Sequence, residues 1–270
     1  ESATPEQRAA FAEQNGFNDP LITQLIDYFK GVLHLDFGTS LRTGESAAEM
    51  ALRAFPATLQ LAFATMLLAI VGAVVVGCWA AYRPNSLADR FSSLLSMTAA
   101  SIPDFWFAIT GVWLFAVLLG VLPTSGVDAG VLSWILPVAT LMIRPLGVLT
   151  QVVRGAMVSA LSAPYIRLAR SKGAGDFRVV SHHALRNAAA PALTVAGDLM
   201  VSLINGAVVV EAIFGWPGIG KLMIDAILQR DFAVLQAAVL LTAVSIFLLN
   251  IIIDACYALL DARVREPARV

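Results

Sequence analysis

Charged residues are scarce in this sequence. Asp, Glu, Lys and Arg make up 14% of the 270 residues and apolar residues make up 58%, whereas a soluble domain has about 25% charged residues. One water-soluble core could not bury so much apolar surface, so the composition predicts a polytopic membrane protein. The net charge of −1 argues against a nucleic-acid partner, because binding to phosphates needs an excess of Lys and Arg.

Cysteine and histidine are also rare. The two cysteines, Cys78 and Cys256, lie in separate apolar runs, and this spacing predicts neither a metal site nor a disulfide framework. His182 and His183 are adjacent, so on a helix their side chains point about 100° apart. Metal-binding pairs on helices are spaced i, i+4 instead, and we therefore expect no metal site in this chain.

Long apolar runs, in contrast, are abundant. A membrane-spanning helix needs about 20 mostly apolar residues, and five windows meet this requirement. They cover residues 57–81, 92–122, 131–153, 190–213 and 232–260. We therefore predict an all-α fold, in which residues 56–270 form a polytopic membrane helical bundle with five spans.

The first 55 residues have a different character. The apolar residues at helical spacing in the stretch PLITQLIDYFKGVLHL are Leu21, Ile22, Leu25, Ile26 and Phe29. They predict an amphipathic helix that is too short and too polar to span a bilayer. We expect residues 1–55 to form an extracytoplasmic, interfacial region, with turns in the stretch DFGTSLRTGES.

Basic residues are distributed unevenly between the connections. Those on one side are Arg83, Arg90, Arg154, Arg167, Arg170, Lys172, Arg178, Arg186, Arg263, Arg265 and Arg269; those in the short loops on the other side are Lys221 and Arg230. Cytoplasmic loops carry an excess of Lys and Arg. The loop at 155–188 and the C-terminus are therefore predicted to be cytoplasmic, and the loop at 214–231 is predicted to be external.

The cytoplasmic loop predicts two short helices at an angle. Pro164 can begin a helix, because the first turn does not need its missing N–H. Gly173 can end that helix in the left-handed conformation, and Asp176 can cap a second helix that stops near Pro191.

The first of these helices, at 164–172, must dock on something, because two turns are not stable alone in water. Its small apolar face contains Tyr165, Leu168 and Ala169, and the flanking basic residues are Arg167, Arg170 and Lys172. Two interpretations remain open on physical grounds alone. One is a helix-in-groove contact with a cytoplasmic protein, and the other is a surface loop that meets anionic lipid headgroups.

The arrangement of helix, glycine and helix between two spans resembles the "EAA" loop of ABC-importer membrane subunits. It is most similar to the dipeptide/oligopeptide (and nickel) permeases, whose pattern is Y-x-R-x-A-R-x-K-G, then H-A-L-R-N-A, then P-x-L-T. The chain has these residues at 165–173, 183–188 and 191–194, and the similarity continues in SIPDFWFA, FPATLQLA and GAVVVEAIFGWPGIGK. Arg167, Leu168 and Ala169 replace the literal Glu-Ala-Ala.

The resemblance implies a permease subunit of a binding-protein-dependent ABC importer in a bacterial inner membrane. The fold would be that of type I ABC-importer permeases, with six spans in a complete subunit and one of them before residue 1. The implied partners are a homologous second permease, two ATP-binding subunits that use ATP and Mg, an extracytoplasmic substrate-binding protein, membrane lipid and a peptide substrate. The chain itself would bind no cofactor and would not be an enzyme.

The resemblance also implies roles for residues at both ends of the bundle. The ATPase-coupling candidates are Tyr165, Arg167, Leu168, Ala169, Arg170, Lys172, Gly173 and Asp176. The candidates for docking of the binding protein are Trp216, Lys221, Asp225, Arg230 and Asp231.

The stretch GWPGIGKL at 215–222 imitates a nucleotide-binding motif. It satisfies G-x-x-x-x-G-K, but a phosphate-binding loop needs Ser or Thr next to hold magnesium, and Leu222 stands there. The loop is also predicted to be external, where there is no ATP. We therefore predict no nucleotide site at this loop.

Ionisable residues inside the predicted spans are costly and are candidates for function. The substrate-path candidates are Asp104, Phe105, Trp106, Arg144, Asp198, Asn205 and Glu211. Two interpretations stay open: the charges line a polar path for peptides, or they form interhelical pairs such as Arg144 with Asp198. Pro103 should break the helix beside Asp104. An intramembrane hydrolase that uses Asp198 and Asp254 is the alternative function, although no hydrolase motif accompanies either residue.

Overall fold

The computed structural model describes residues 18–260, together with residues 4 and 6. In chain order the helices of this part are α1 (Leu21–Leu33), α2 (Ala47–Tyr82), α3 (Leu87–Ser101), α4 (Asp104–Leu118), α5 (Leu132–Ser162), α6 (Pro164–Ser171), α7 (Asp176–Phe214), α8 (Ile219–Gln229) and α9 (Phe232–Leu260). Extended pairing within these residues is limited to one bridge between Thr39 and Ser46. The all-α prediction is confirmed.

Four of the helices, α2, α5, α7 and α9, are long and apolar enough to cross a membrane. The predicted span at 92–122 is a bent pair instead, because α3 and α4 meet at an angle of 99°. Ile102 and Pro103 are extended at this break, and Pro103 has no N–H to continue the helix. The predicted break beside Asp104 is therefore confirmed, and the pair brings the count to five spans if it crosses as one.

The longest helix differs from its prediction. A short helix was expected to stop near Pro191 and a separate span to begin at 190, but α7 runs unbroken from Asp176 to Phe214. The prediction of a stop was wrong because membrane helices tolerate proline when neighbouring groups satisfy the freed backbone. Residues Val179–Ala184 are π-helical, and the Asn187 side chain donates to the carbonyl of His183 at 3.0 Å.

The central helix of the bundle is α5, which packs against α2, α3, α4 and α7. Small residues let these helices approach closely. A Cβ on Gly77 of α2 would lie 2.8 Å from the Val153 side chain, and one on Gly147 of α5 would lie 3.1 Å from the backbone oxygen of Ser96. Because α5 has 31 residues, its two ends are about 45 Å apart. The segments that connect the long helices therefore lie at two opposite ends of the molecule.

The N-terminal helix α1 exists as predicted, over Leu21–Leu33. None of its residues is buried in the described bundle, and its apolar side chains remain exposed, which suits the predicted interfacial position. The turns predicted after it are also present, with Ser40 reaching Asp231 through a 2.5 Å hydrogen bond from its Oγ.

Candidate functional site

The helix α6 begins and ends where the sequence predicts. Ala163 is extended, which stops α5, and Pro164 is the first residue of α6. Gly173 has a φ of +81°, and its N–H donates to the Arg170 carbonyl while the Ala174 N–H donates to the Ala169 carbonyl. These two bonds form a Schellman motif, the helix ending that favours glycine.

One apolar side chain anchors α6 to the bundle. Ile166 is only 1% exposed and packs in a cluster with Met157 of α5 and with Val179 and Ala184 of α7. The sequence pattern missed this anchor, since eight residues are too few for their periodicity to show which face docks inward. The burial of Ile166 fixes which face of α6 remains free.

The free face of α6 is apolar and ringed by positive charge. Leu168 is 57% exposed, and Phe177, the second residue of α7, is 86% exposed. The basic residues Arg167, Arg170 and Lys172 are exposed too. We call Tyr165, Leu168 and Phe177, with these three basic residues, the docking face; Phe177 was not among the predicted residues.

Asp176 has a different role from the predicted one. Gly175 occupies the N-cap position of α7, and no side chain caps it. Asp176 is the first helical residue, and its carboxylate lies 3.9 Å from the guanidinium of Arg170. This exposed pair joins the end of α6 to the start of α7 across the Gly173 turn.

A buried ion pair lies at the same end of the bundle. Arg154 of α5 donates from Nε and Nη2 to the carboxylate of Asp89 on α3, which also accepts from the Asn85 N–H at 2.8 Å. Asp89 is buried, and Arg154 is half-buried. Two-point contacts of this kind orient both partners, so the pair joins α3 to the helix that precedes α6.

Several predicted path residues converge on one cavity that is open to the surface of this chain. A cavity of 300 Å³ between α4, α5 and α7 is lined by Asp104, Arg144, Ser202 and Asn205, together with leucine side chains, Pro145 and Gly206. The polar residues come from three helices that are separate in the sequence. Ser202 was not predicted, because an isolated serine in an apolar run carries little signal.

The other predicted path residues lie away from this cavity. Phe105 and Trp106 are half exposed on the outside of α4. Asp198 is exposed on α7 and does not line the cavity. Within residues 18–260 no ion pair joins Arg144 to Asp198, so the interhelical pairing considered from the sequence is not formed here.

Glu211 is buried inside the chain, with 0% of its surface exposed. Its Oε1 accepts from the Thr58 hydroxyl at 2.6 Å, and its Oε2 accepts from the backbone N–H groups of Gly220 at 2.8 Å and Lys221 at 3.2 Å. These two amides belong to the first turn of α8, where a helix favours a negative charge. Glu211 therefore caps α8 and does not face an open path within this chain.

This contact explains the imitation of a phosphate-binding loop. The glycine-rich segment at 215–221 does cradle an anion at the start of a helix, but the anion is the carboxylate of Glu211. A Cβ on Gly218 would lie 2.3 Å from that carboxylate, and one on Gly220 would lie 2.4 Å from the Val208 backbone. Both positions require glycine because the Glu211 carboxylate and the Val208 backbone lie so close to them. The anion-binding position of the segment is therefore occupied by Glu211.

The predicted docking residues at this end divide into buried and accessible ones. Trp216 is 2% exposed; its Nε1 donates to the Ala57 carbonyl at 3.0 Å. Asp231 is buried and accepts from Ser40. Arg230 is exposed, and Lys221 and Asp225 form a half-buried ion pair at 2.5 Å. Only these last three are available to another protein.

A family model described as "Binding-protein-dependent transport system inner membrane component" matches residues 73–266. The chain belongs to this family. It is 36% identical to the oligopeptide transport system permease protein AppB of Bacillus subtilis (strain 168), over 95% of this chain and 84% of that protein. It is 37% identical to the di/tripeptide transport system permease protein DppB of Pseudomonas aeruginosa (strain UCBPP-PA14), over 97% of this chain and 86% of that protein.

Solved structures confirm the fold. The permease of the MetNI methionine ABC transporter in an inward-facing conformation has a TM-score of 0.64 with this chain, at 18% identity, over 78% of this chain and 96% of that chain. An amino acid ABC transporter solved with histidines has a TM-score of 0.56 at 16% identity, over 80% of this chain and 94% of that chain. The chain thus has the type I ABC-importer permease fold, and its family and curated relatives make it a multi-pass membrane transport component.

Proposed function

We propose that this chain is the permease subunit of an ATP-driven importer of di- or oligopeptides in a bacterial inner membrane. The relatives that are 34–37% identical over most of the chain are named as permeases for oligopeptides, di/tripeptides and dipeptides. A homologous second permease would supply the other half of the translocation path. The polar cavity lined by Arg144 and Asn205, whose side chains are exposed in this single chain, supports a path shared between two subunits.

The docking face of α6 is the observation that carries the proposal. A two-turn helix needs tertiary contacts to persist, and Ile166 supplies them on one side, together with a hydrogen bond from the Asn187 side chain to the Tyr165 hydroxyl. The other side offers Leu168 and Phe177 within a ring of Arg and Lys, a pattern that suits insertion into a groove of another protein. The occupant is an ATP-binding subunit, whose movement would reach α5 and α7 through the two ends of α6.

The opposite end of the bundle is suited to an extracytoplasmic substrate-binding protein. Lys221, Asp225 and Arg230 are accessible there, and Leu228 on α8 is exposed beside them. The distribution of Lys and Arg between the loops supports a cytoplasmic position for α6 and an external position for α8. ATP and Mg would be bound by the ATP-binding subunits, and this chain would hold no cofactor.

The hydrolase alternative gains no support. No hydrogen bond joins Asp198 to Asp254 in the described part of the chain, and both carboxylates are exposed on different helices. A G-x-G-D sequence, which would be expected at the active site of an intramembrane hydrolase, does occur at 173–176. Its aspartate, Asp176, is exposed at the end of the bundle beside Arg170. The family of the chain is one of transport components.

The proposal is tested by placing a charge on the docking face. The complete complex, reconstituted in vesicles, is compared with its Leu168→Asp variant for peptide uptake and ATP hydrolysis. A carboxylate has to be desolvated to enter an apolar groove, so uptake should fall at least about tenfold. The variant permease should be present in the same amount as the wild type and should resist unfolding equally well, since Leu168 is exposed.

Leu87→Asp is the matched control. Leu87 is also an exposed leucine, and it lies at the same end of the bundle, at the start of α3. Its variant should transport as wild type does. Equal losses in the two variants, or wild-type uptake with Leu168→Asp, would contradict the assignment of α6 as the ATPase-docking helix.

A further inference from the structure

The polar side chains of the cavity between α4, α5 and α7 have no partners among the residues that the structure describes. Asp104, Arg144, Ser202 and Asn205 all line it. Within residues 18–260 none of the four side chains takes part in a hydrogen bond or ion pair, in contrast to Glu211, whose carboxylate is fully bonded. An acidic group, a basic group, a hydroxyl and an amide are therefore left with unused hydrogen-bonding capacity in one place.

This arrangement is expensive within a membrane. Arg144 lies in the middle of α5, and an arginine in a transmembrane helix is rare unless it faces a water-filled cavity or a partner. Its guanidinium has five N–H donors and no acceptor, whereas an ionised Asp104 can only accept. The two residues line the same cavity, but they form no ion pair within the described residues. Each charge therefore remains free for a third group.

The backbone around the cavity keeps these groups apart and accessible. Pro145, which follows Arg144, is buried in α5, and Pro103 directs the chain into α4 at Asp104. Gly206 lies next to the carboxylate, since a Cβ there would be in ordinary van der Waals contact with Asp104 Oδ2, at 3.8 Å. Groups held on rigid elements by prolines and close packing are suited to selective binding.

We propose that this cavity binds the two charged ends of a short zwitterionic peptide during transport. Arg144 would bind the C-terminal carboxylate, for which the planar guanidinium is well matched. Asp104 would bind the N-terminal ammonium, and Ser202 and Asn205 would bind the amide bond between them. The inference rests on the proposed function as a peptide permease.

Such a site would select for the peptide backbone and not for its side chains. The cavity volume of 300 Å³ is at the lower end of the range for small-molecule sites, about 300–1,000 Å³. It suits a dipeptide, or one end of a longer peptide with the second permease closing the other side. The remaining walls are leucine side chains, Pro145 and Gly206, which make no polar demand on the peptide.

The test is uptake of one dipeptide in three forms by the reconstituted complex. The forms have free ends, an acetylated N-terminus or an amidated C-terminus, and the same binding protein is present throughout. Any preference of the binding protein for one peptide form cancels when each variant is compared with wild type for that same form. Arg144→Gln should reduce uptake of the peptide with free ends about tenfold, the loss expected for a charge-assisted hydrogen bond.

The blocked peptides show which end each residue binds. Arg144→Gln should change uptake of the amidated peptide less than about twofold, because that peptide has no carboxylate to lose. Asp104→Asn should show the mirror pattern, with little effect on the acetylated peptide. Arg144→Lys keeps the charge and should restore part of the uptake. Asp254→Asn, which changes an exposed carboxylate on α9 outside the cavity, is the matched control and should leave all three forms unchanged.

The outcomes separate the cavity from the wider proposal. Equal losses for all three peptide forms would mean that Arg144 and Asp104 are structural, and would overturn the assignment of the cavity while peptide transport stands. No change in any form would overturn it equally. If the wild-type complex takes up no peptide in the presence of ATP, the proposed function itself fails.

Discussion

Glu211 offers a direct test of how the end of the molecule that contains α8 is held together. Its carboxylate accepts hydrogen bonds from the Thr58 hydroxyl and from the N–H groups of Gly220 and Lys221, with distances of 2.6, 2.8 and 3.2 Å. In Glu211→Gln the amide can accept at only one of these two positions. The loss of a hydrogen bond to a charged group costs about 1.5–3 kcal/mol.

This cost predicts a local effect that can be measured directly. Opening of the first turn of α8 should become about 10- to 100-fold more frequent, since 1.4 kcal/mol corresponds to about a factor of ten. Hydrogen exchange of the Gly220 and Lys221 amides, followed by mass spectrometry at residue resolution, reports this opening. Exchange at both amides should accelerate by that factor in Glu211→Gln, while the core of α5 is unaffected.

Thr58→Val is the matched control for the same network. Thr58 Oγ1 also accepts from the Ile219 N–H at 2.9 Å, so this variant should accelerate exchange at Ile219. Gly220 and Lys221 would keep their bonds to Glu211 and should change much less. The account of Glu211 as the cap of α8 is refuted if Glu211→Gln leaves both amides at their wild-type rates.

Three further predictions concern single contacts. Asp89→Asn should lower the free energy of SDS-induced unfolding of the purified permease by about 1.5–3 kcal/mol. In that variant a further Arg154→Gln substitution should cost much less than Arg154→Gln costs in the wild type. Additive losses in the double variant would contradict the ion pair. Gly173→Leu should cost about 1–2 kcal/mol, because leucine is strained at the positive φ of this position, and it should lower peptide uptake per ATP hydrolysed. Asparagine tolerates that φ, so Gly173→Asn should transport normally. Equal effects of the two substitutions would argue against the backbone explanation. Trp216→Phe loses the bond to the Ala57 carbonyl and should cost about 1 kcal/mol in the same unfolding assay, where wild-type stability would count against that bond.

The sequence predicted best what depends on composition and on backbone chemistry. Apolar windows of sufficient length became helices because a bilayer leaves the backbone no other partner. The break at Pro103, the start at Pro164 and the end at Gly173 each follow from the restricted dihedral angles of one residue. Pro191 failed as a stop signal because the packing of α7, and not local propensity, decides whether a membrane helix continues.

The sequence could not show which polar residues meet. Glu211 looked like a path residue, and only the three-dimensional structure brings Thr58 and the start of α8 to its carboxylate. The pairing of Arg154 with Asp89 is equally invisible, since 65 residues separate them. Asp104 and Arg144 were singled out by their cost in a membrane, but their convergence on one cavity depends on how α4, α5 and α7 pack.

Cross-linking at the docking face in native membranes shows directly whether α6 contacts the ATP-binding subunit. The permease carries Leu168→Cys with Cys78 and Cys256 replaced by serine, and it is expressed with the rest of its transporter. We expect a disulfide or short bifunctional cross-link to the ATP-binding subunit, and no labelling by an impermeant thiol reagent added outside intact cells. Labelling from outside, or cross-linking from Leu87→Cys but not from Leu168→Cys, would contradict the claim that α6 receives the ATPase.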